Sequence, residues 1–267
     1  MPDLDLAITR AVSREIAHCA LTFIEREPID YDLAVEQHER YCALLSERGL
    51  EVVVLPADDR YPDCTFVEDT AVVFDEVAII THMGTTARQG EEAAMEPVLA
   101  RYRPIVKMQP PATIDGGDVL RLDRTVFVGL SPRTNVAGVD AFHRILSGHG
   151  YRVRPVQVTG CLHLKSACTA IDDETVLANP QWVDVEPFGD VRIIPVPDDE
   201  PRAAEVLRLG DAVCMHDGFP RTRALVESLN VTVHTVNLSE FVKAEAGPTC
   251  LSILLSRSTP AGRKTHA

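Results

Sequence analysis

Nowhere in these 267 residues do apolar side chains run on for the ~20 positions that a membrane-spanning helix requires, so a membrane partner is not expected. The opening residues, "MPDLDLAITR", hold two acids and no hydrophobic signal segment, which leaves the cytoplasm as the expected location. No Cys-x-x-Cys pair occurs, alone or ahead of a His-x-x-x-His, and a structural zinc site is therefore not expected. The seven cysteines, an odd number without regular spacing, do not form a disulfide framework and read mostly as small buried hydrophobes. Basic residues are scarce: 26 Lys and Arg stand against 40 Asp and Glu, a net charge of −14. That balance argues against nucleic acid as a partner, since such proteins need a basic face, but it suits a small cationic substrate.

What is present is a recurring order of elements. Residues 31–48 place apolar side chains at helical spacing and stop at Gly49, and "EVVVLP" follows as a buried strand. Next come two short apolar runs, "AVVF" and "VAII", hinged at Asp75-Glu76, then a helix expected over 87–102 and a strand at "PIVKM". The pattern repeats with hairpins about Asp123-Arg124, Asp172-Asp173 and Gly210, at intervals of 37–50 residues. Helices are expected over 134–147 and 220–229, and the run "CLSILLS" can pair with "LAITRAV" to complete a fifth hairpin. Five strand-strand-helix-strand units would close into a ring that leaves few sheet edges exposed. An ordinary α+β domain with recurrent hairpins fits the same pattern, and periodicity does not choose between them. No composition shift marks an internal linker, so residues 1–257 read as one domain and the polar stretch 258–267 as a disordered tail.

If the ring forms, the segment leading into each hairpin lies at one end of its axis. Those segments hold Asp63, Glu68 and Asp69 in the first unit, Asp115 and Asp118 in the second, His163 and Lys165 in the third, and Cys250 in the last. Each has a plain structural reading: a small buried cysteine, a satisfied histidine alternating with Leu162 and Leu164 along a strand, an aspartate capping the Gly116-Gly117 turn. Their shared place in the repeat is what makes them a constellation. Crowded carboxylates need positive charge among them, from a metal, a buried basic side chain or a cationic substrate, and His and Cys donors at metal spacing are lacking. A cationic ligand is then the better partner. Arg88 and Arg133, at matching places after two hairpins, could grip a carboxylate in bidentate fashion. A guanidino amino acid carries both charges.

The motifs "FVED", "IDGGDV", "VGLSPRTN", "LHLKS" and the late "TC" before an apolar strand resemble, in order and spacing from about residue 5 to 256, the dimethylarginine dimethylaminohydrolases. These belong to the pentein superfamily, five-bladed α/β-propellers built of five ββαβ units about a pseudo-fivefold axis. Arginine deiminases usually carry a helical insertion that this chain lacks. The resemblance implies that Cys250 is the nucleophile, His163 the general acid and base, and Asp115 the active-site acid. It implies that Asp69 with Glu68 holds the guanidinium, that Asp63 binds the α-amino group, that Arg88 and Arg133 clamp the α-carboxylate, and that Leu21 offers a backbone carbonyl. Methylated arginine would give citrulline and an amine through a covalent thiouronium, with no metal or other cofactor, and a homodimer is left open. Pro248, in "AGPTC", stiffens the run before the nucleophile and bears on which N-alkyl groups are accepted. Other guanidino-modifying enzymes (arginine or agmatine deiminase, an amidinotransferase) and a non-catalytic binding protein on the same ring are the rival readings; agmatine, having no carboxylate, would leave the two arginines without a partner.

Overall fold

The computed structural model describes residues 4–257. The expected tail at 258–267 lies outside the described residues.

In chain order the elements are β1 (Leu6–Arg10), α1 (Tyr31–Glu47) and β2 (Glu51–Leu55), then β3 (Ala71–Val73), β4 (Ala78–Ile80), α2 (Glu96–Leu99) and β5 (Ile105–Lys107). They continue with β6 (Val119–Leu122), β7 (Thr125–Leu130), α3 (Val136–Ser147) and β8 (Arg152–Gln157), then α4 (Leu164–Ala167), β9 (Cys168–Ala170), β10 (Thr175–Ala178) and β11 (Arg192–Pro195). Last come β12 (Leu207–Leu209), β13 (Ala212–His216), α5 (Pro220–Glu227), β14 (Thr232–Val236), α6 (Ser239–Val242) and β15 (Ile253–Leu255).

The strands form five separate sheets of three, in the orders β15-β1-β2, β3-β4-β5, β6-β7-β8, β9-β10-β11 and β12-β13-β14. In each, the first strand pairs antiparallel with the second, which pairs parallel with the third. A parallel neighbour needs a crossover, and in the first and last units of the chain α1 and α5 supply it. The five first strands, β15, β3, β6, β9 and β12, all contribute to the lining of one cavity. They therefore surround a common axis, and the ring expected from the repeat is the fold found.

Sequence and structure agree closely where the local signal is strong. The strand leaving the expected Asp123-Arg124 turn is β7, and the one leaving the turn at Gly210 is β13. Helix α1 starts where the Asp30 carboxylate accepts the Leu33 N–H, and it buries Ala34, Tyr41 and Leu45 against the sheet side. Third strands carry exposed positions, and β8 presents Arg152, Arg154 and Pro155 along its outer edge, a composition that discourages pairing with another chain.

The helix expected over 87–102 is corrected. Only a 3-10 turn at Glu91–Ala94 and the single turn of α2 form there. Pro97 explains the break: it has no N–H to donate and is tolerated only in a first turn, so the chain restarts its helix at Glu96 instead of running through.

Candidate active site

The segments that enter the inner strands do converge. Asp63, Glu68 and Asp69 precede β3, Asp115 and Asp118 precede β6, His163 precedes β9, Glu205 precedes β12 and Cys250 precedes β15, and every one of these side chains is buried. Buried charge must be paired or neutralised, and the partners define what the site can do.

His163 lies at the centre. Its Nε2 is 3.2 Å from Asp115 Oδ2 and its Nδ1 3.8 Å from Asp69 Oδ1. Burial alone would push the imidazole down, but the charge of Asp69 and the hydrogen bond to Asp115 outweigh it and hold the pKa up at about 9. The ring is thus a cation at neutral pH. The strand alternation expected around it is corrected: His163 is the extended residue ahead of the one-turn helix α4. Its ring can approach because Gly117 has no side chain. A Cβ there would stand 2.7 Å from His163 Nδ1 and 2.8 Å from Asp69 Oδ1.

Asp115 is fully buried; its Oδ1 accepts the Gly84 N–H at 2.8 Å and its Oδ2 lies 3.4 Å from an Arg133 nitrogen. Asp118 has a different task. It accepts from the Ser131 and Thr134 hydroxyls, both at 2.6 Å, and from the Leu164 N–H at 2.9 Å. That ties the loop of Arg133 to the segment of His163. Burial raises Asp118 to about 6 despite the nearby His163 cation and these donors.

Asp69 accepts the Gly117 N–H at 2.9 Å and meets Arg88 at 2.6 Å. Its burial is overcome by His163 and Arg88, which hold the carboxylate well below its usual range. Arg88 is ringed by acceptors: Asp69, Glu91 at 2.8 Å, and the Phe66 carbonyl at 3.1 Å. The two arginines read as a carboxylate clamp therefore lie against acids, Arg88 tightly and Arg133 loosely. Glu68 turns toward Lys165 at 2.5 Å and the Thr249 hydroxyl at 2.9 Å, on the axial cavity, and not toward the partners of Asp69. Asp63 accepts the Ala20 N–H, which anchors the loop that carries Leu21; Glu245 anchors it again by accepting from Thr22 and Phe23.

Cys250 is not at the strand start expected for it. It sits in a turn before β15, and its carbonyl accepts the Glu68 N–H at 3.2 Å in place of a sheet partner. Burial, then the charges of Glu205, Glu68 and Asp69, push its thiol well above the ordinary range. Its Sγ is 3.4 Å from Glu205 Oε1. Glu205 and Glu91 are the site residues that sequence reading passed over. Glu205 enters the hairpin of the fourth unit, so the rule that found the other four entry segments reaches it too. Glu91 stands three residues after Arg88, within reach on a turn.

Asp69, Asp115 and His163 bring donor atoms within 4.8 Å of one another, the only such trio among the described residues. Within the protein, positive charge reaches these acids from His163 and Arg88. Beside the trio, an open cleft of roughly 730 Å³ is lined by Leu162, Trp182, Phe219, Pro248 and Glu205.

A buried thiol, an imidazolium and paired carboxylates at one end of a five-unit α/β ring define a pentein of the guanidino-modifying kind. The family model described as N,N dimethylarginine dimethylhydrolase, eukaryotic, matches residues 16–176. A Streptomyces coelicolor protein named N(G),N(G)-dimethylarginine dimethylaminohydrolase is 41% identical over 93% of this chain and 96% of its own. This chain belongs to the dimethylarginine dimethylaminohydrolase family. The Pseudomonas aeruginosa member, solved as a cysteine-to-serine variant complexed with citrulline, superposes with a TM-score of 0.91 at 31% identity, over 95% of this chain and all of that one. The N-terminal domain of ArgZ, an arginine dihydrolase of cyanobacteria, shares the fold with a TM-score of 0.85 at 17% identity, over 95% of this chain and 98% of that one.

Proposed function

We propose that this chain hydrolyses Nω-methylated L-arginine, asymmetric dimethylarginine or monomethylarginine, to L-citrulline and dimethylamine or methylamine, with residues 1–257 as one catalytic domain. The observation that carries the reading is the buried thiol of Cys250 sharing one end of the ring with a His163 imidazolium flanked by Asp69 and Asp115, in a chain of this family. The relative seen with citrulline supports the product. Seven free cysteines suit a reducing compartment, and we assign the enzyme to the cytoplasm.

Substrate and protein exchange partners in this reading. The substrate guanidinium takes Arg88's place on Asp69 and lies between Asp69 and Asp115, so that Asp69 is never left unpaired. Arg88, released, joins Arg133 on the α-carboxylate. Asp63 receives the α-amino group, the Leu21 carbonyl lies alongside, and Glu68 adds negative charge beyond Asp69. Holding the planar cation in this cradle sets its carbon for attack.

The thiol is held protonated by burial and three acids, so a bound cation is what favours the thiolate. Sulfur adds to the guanidinium carbon. His163, protonated at neutral pH, gives its proton to the departing amine nitrogen as that C–N bond breaks. The neutral imidazole then takes a proton from water as its oxygen adds to the thiouronium carbon, and the C–S bond breaks to release citrulline.

The test is an assay of citrulline and amine release with asymmetric dimethylarginine, monomethylarginine and arginine, run beside Cys250→Ser. Citrulline from the methylated substrates, lost in the variant, is the expected result. Turnover of arginine alone would move the chain to the deiminases. Folded protein that makes no citrulline from any of the three would defeat the reading.

A further inference from the structure

Glu205 is a buried carboxylate for which the mechanism above has no use. It rises from the segment before β12 and is 8% exposed, and no Lys, Arg or His among the described residues forms an ion pair with it. Its Oε1 makes two contacts, with Cys250 Sγ at 3.4 Å and with the Thr249 hydroxyl at 3.1 Å. That hydroxyl also lies 2.9 Å from Glu68 Oε2. A threonine hydroxyl carries one proton and can donate to only one of the two carboxylates. The pairing on the other side is complete only when that carboxylate holds a proton of its own. Lys165 secures Glu68 as the charged partner, and Glu205 is left as the one that can carry the proton. The chain also makes room for it: a Cβ at Gly247 would stand 2.5 Å from the Glu205 carboxyl carbon.

We propose that Glu205 is the proton acceptor for Cys250, the two side chains sharing one proton that moves from sulfur to carboxylate when the nucleophile is needed. The proposal rests on Cys250 being the nucleophile of the reaction above. A buried thiol needs an acceptor close by for its proton, and Glu205 Oε1 is the carboxylate oxygen in contact with this one. Here the S–H bond breaks and the proton passes to Glu205 Oε1, leaving the electron pair on sulfur. Sulfur bonds to the guanidinium carbon, and the C–N bond to the amine breaks with His163's proton on nitrogen. Water adds as its proton goes to His163. When the C–S bond breaks, sulfur recovers its proton from Glu205, and the hydroxyl proton of the collapsing adduct passes to solvent, where the amine released earlier takes it up. Glu205 and His163 thus serve different protons.

Burial, then repulsion by Glu68, lift Glu205 to about 7, close to where such an acceptor works best. The charged groups about the pair are Glu68 with Lys165, Asp69 with Arg88, His163 with Asp115, and the thiol of Cys161, which burial and Asp118 push up to about 12.

A pair sharing one proton has a recognisable titration. Once the pair has lost its first proton, near pH 7, the fraction present as thiolate with protonated Glu205 stops rising. Site-resolved alkylation of Cys250 by iodoacetamide, followed by peptide mass spectrometry from pH 5.5 to 8.5, reads this without any assumption about substrate. In the native protein the logarithm of the rate should flatten above about pH 7. In Glu205→Gln, which keeps the shape and loses the proton site, the rate should climb tenfold per pH unit throughout. Glu205→Asp should retain a break, and Cys161 serves as the internal control for folding. The pH profile of kcat/KM for methylarginine should lose the same break in Glu205→Gln. Identical alkylation profiles in native and Gln proteins would overturn the proposal, as would a break that persists in the Gln variant. If neither protein makes citrulline, the substrate reading fails while alkylation still decides the shared proton.

Discussion

The Arg88 guanidinium and the Asp69 carboxylate meet at 2.6 Å, with both side chains 3% exposed, on the carboxylate proposed to receive a substrate guanidinium. A protein cation stands where a ligand cation is expected, and the consequences of removing it differ from those of removing Arg133. Arg88→Ala strips Asp69 and Glu91 of their partner inside the protein, a change that costs about 3–5 kcal/mol in comparable buried pairs. Its urea midpoint should fall accordingly. The loss should be smaller at pH 5 than at pH 8, because Glu91, raised to about 7 by burial in spite of Arg88, takes up a proton at the lower pH. Arg133 touches Asp115 only at 3.4 Å, so Arg133→Ala should keep most of its stability and raise KM for methylarginine with little change in kcat. An unchanged KM in Arg133→Ala would remove that residue from the carboxylate site.

Gly117→Ala tests the centre of the site by adding one carbon. The new Cβ would fall 2.7 Å from His163 Nδ1 and 2.8 Å from Asp69 Oδ1, closer than side chains approach, so the imidazole must move away. Misplacement of a reacting group by about 1 Å costs on the order of 100-fold in rate. We expect kcat to fall by about that factor while the thermal midpoint stays within a few degrees of the native protein. Native turnover in Gly117→Ala would mean that His163 does not act from this position.

The ring was legible because its signals are local. Hairpin turns such as Asp123-Arg124 and the helical spacing of residues 31–48 up to Gly49 each depend on residues a few positions apart. The repeat then placed Asp69, Asp115, His163 and Cys250 at one end without any knowledge of contacts. What escaped depends on long-range partners or on a single disruptive residue. Pro97 divides a stretch whose remaining pattern is helical. The contacts of Arg88 and Arg133 with Asp69 and Asp115, acids distant in sequence, cannot be seen in the order of residues. Glu68 looks identical to Asp69 until Lys165 is found on it. Glu205, between alanines and valine before a short strand, shows its role only when the sulfur 45 positions later is seen 3.4 Å away.

The charge on His163 makes stability itself depend on pH. Its folded pKa of about 9 lies above the unfolded 6.5, since Asp69, Asp115 and Asp118 overcome the burial that would lower it. A group raised in this way stabilises the fold fully below pH 6.5, and its contribution is lost as pH rises through 9. His163→Gln removes the cation and leaves those acids with less compensation. The variant should therefore melt well below the native protein at pH 6, with the gap narrowing steadily to little by pH 10. The activity of the native enzyme should fall along the same alkaline limb, near pH 9, because the departing amine then lacks its proton donor. Thermal midpoints of both proteins at pH 6, 7, 8, 9 and 10 give the comparison. A gap that stays constant across that range would mean that the imidazole is neutral throughout, and the acid step would have to be assigned to another group.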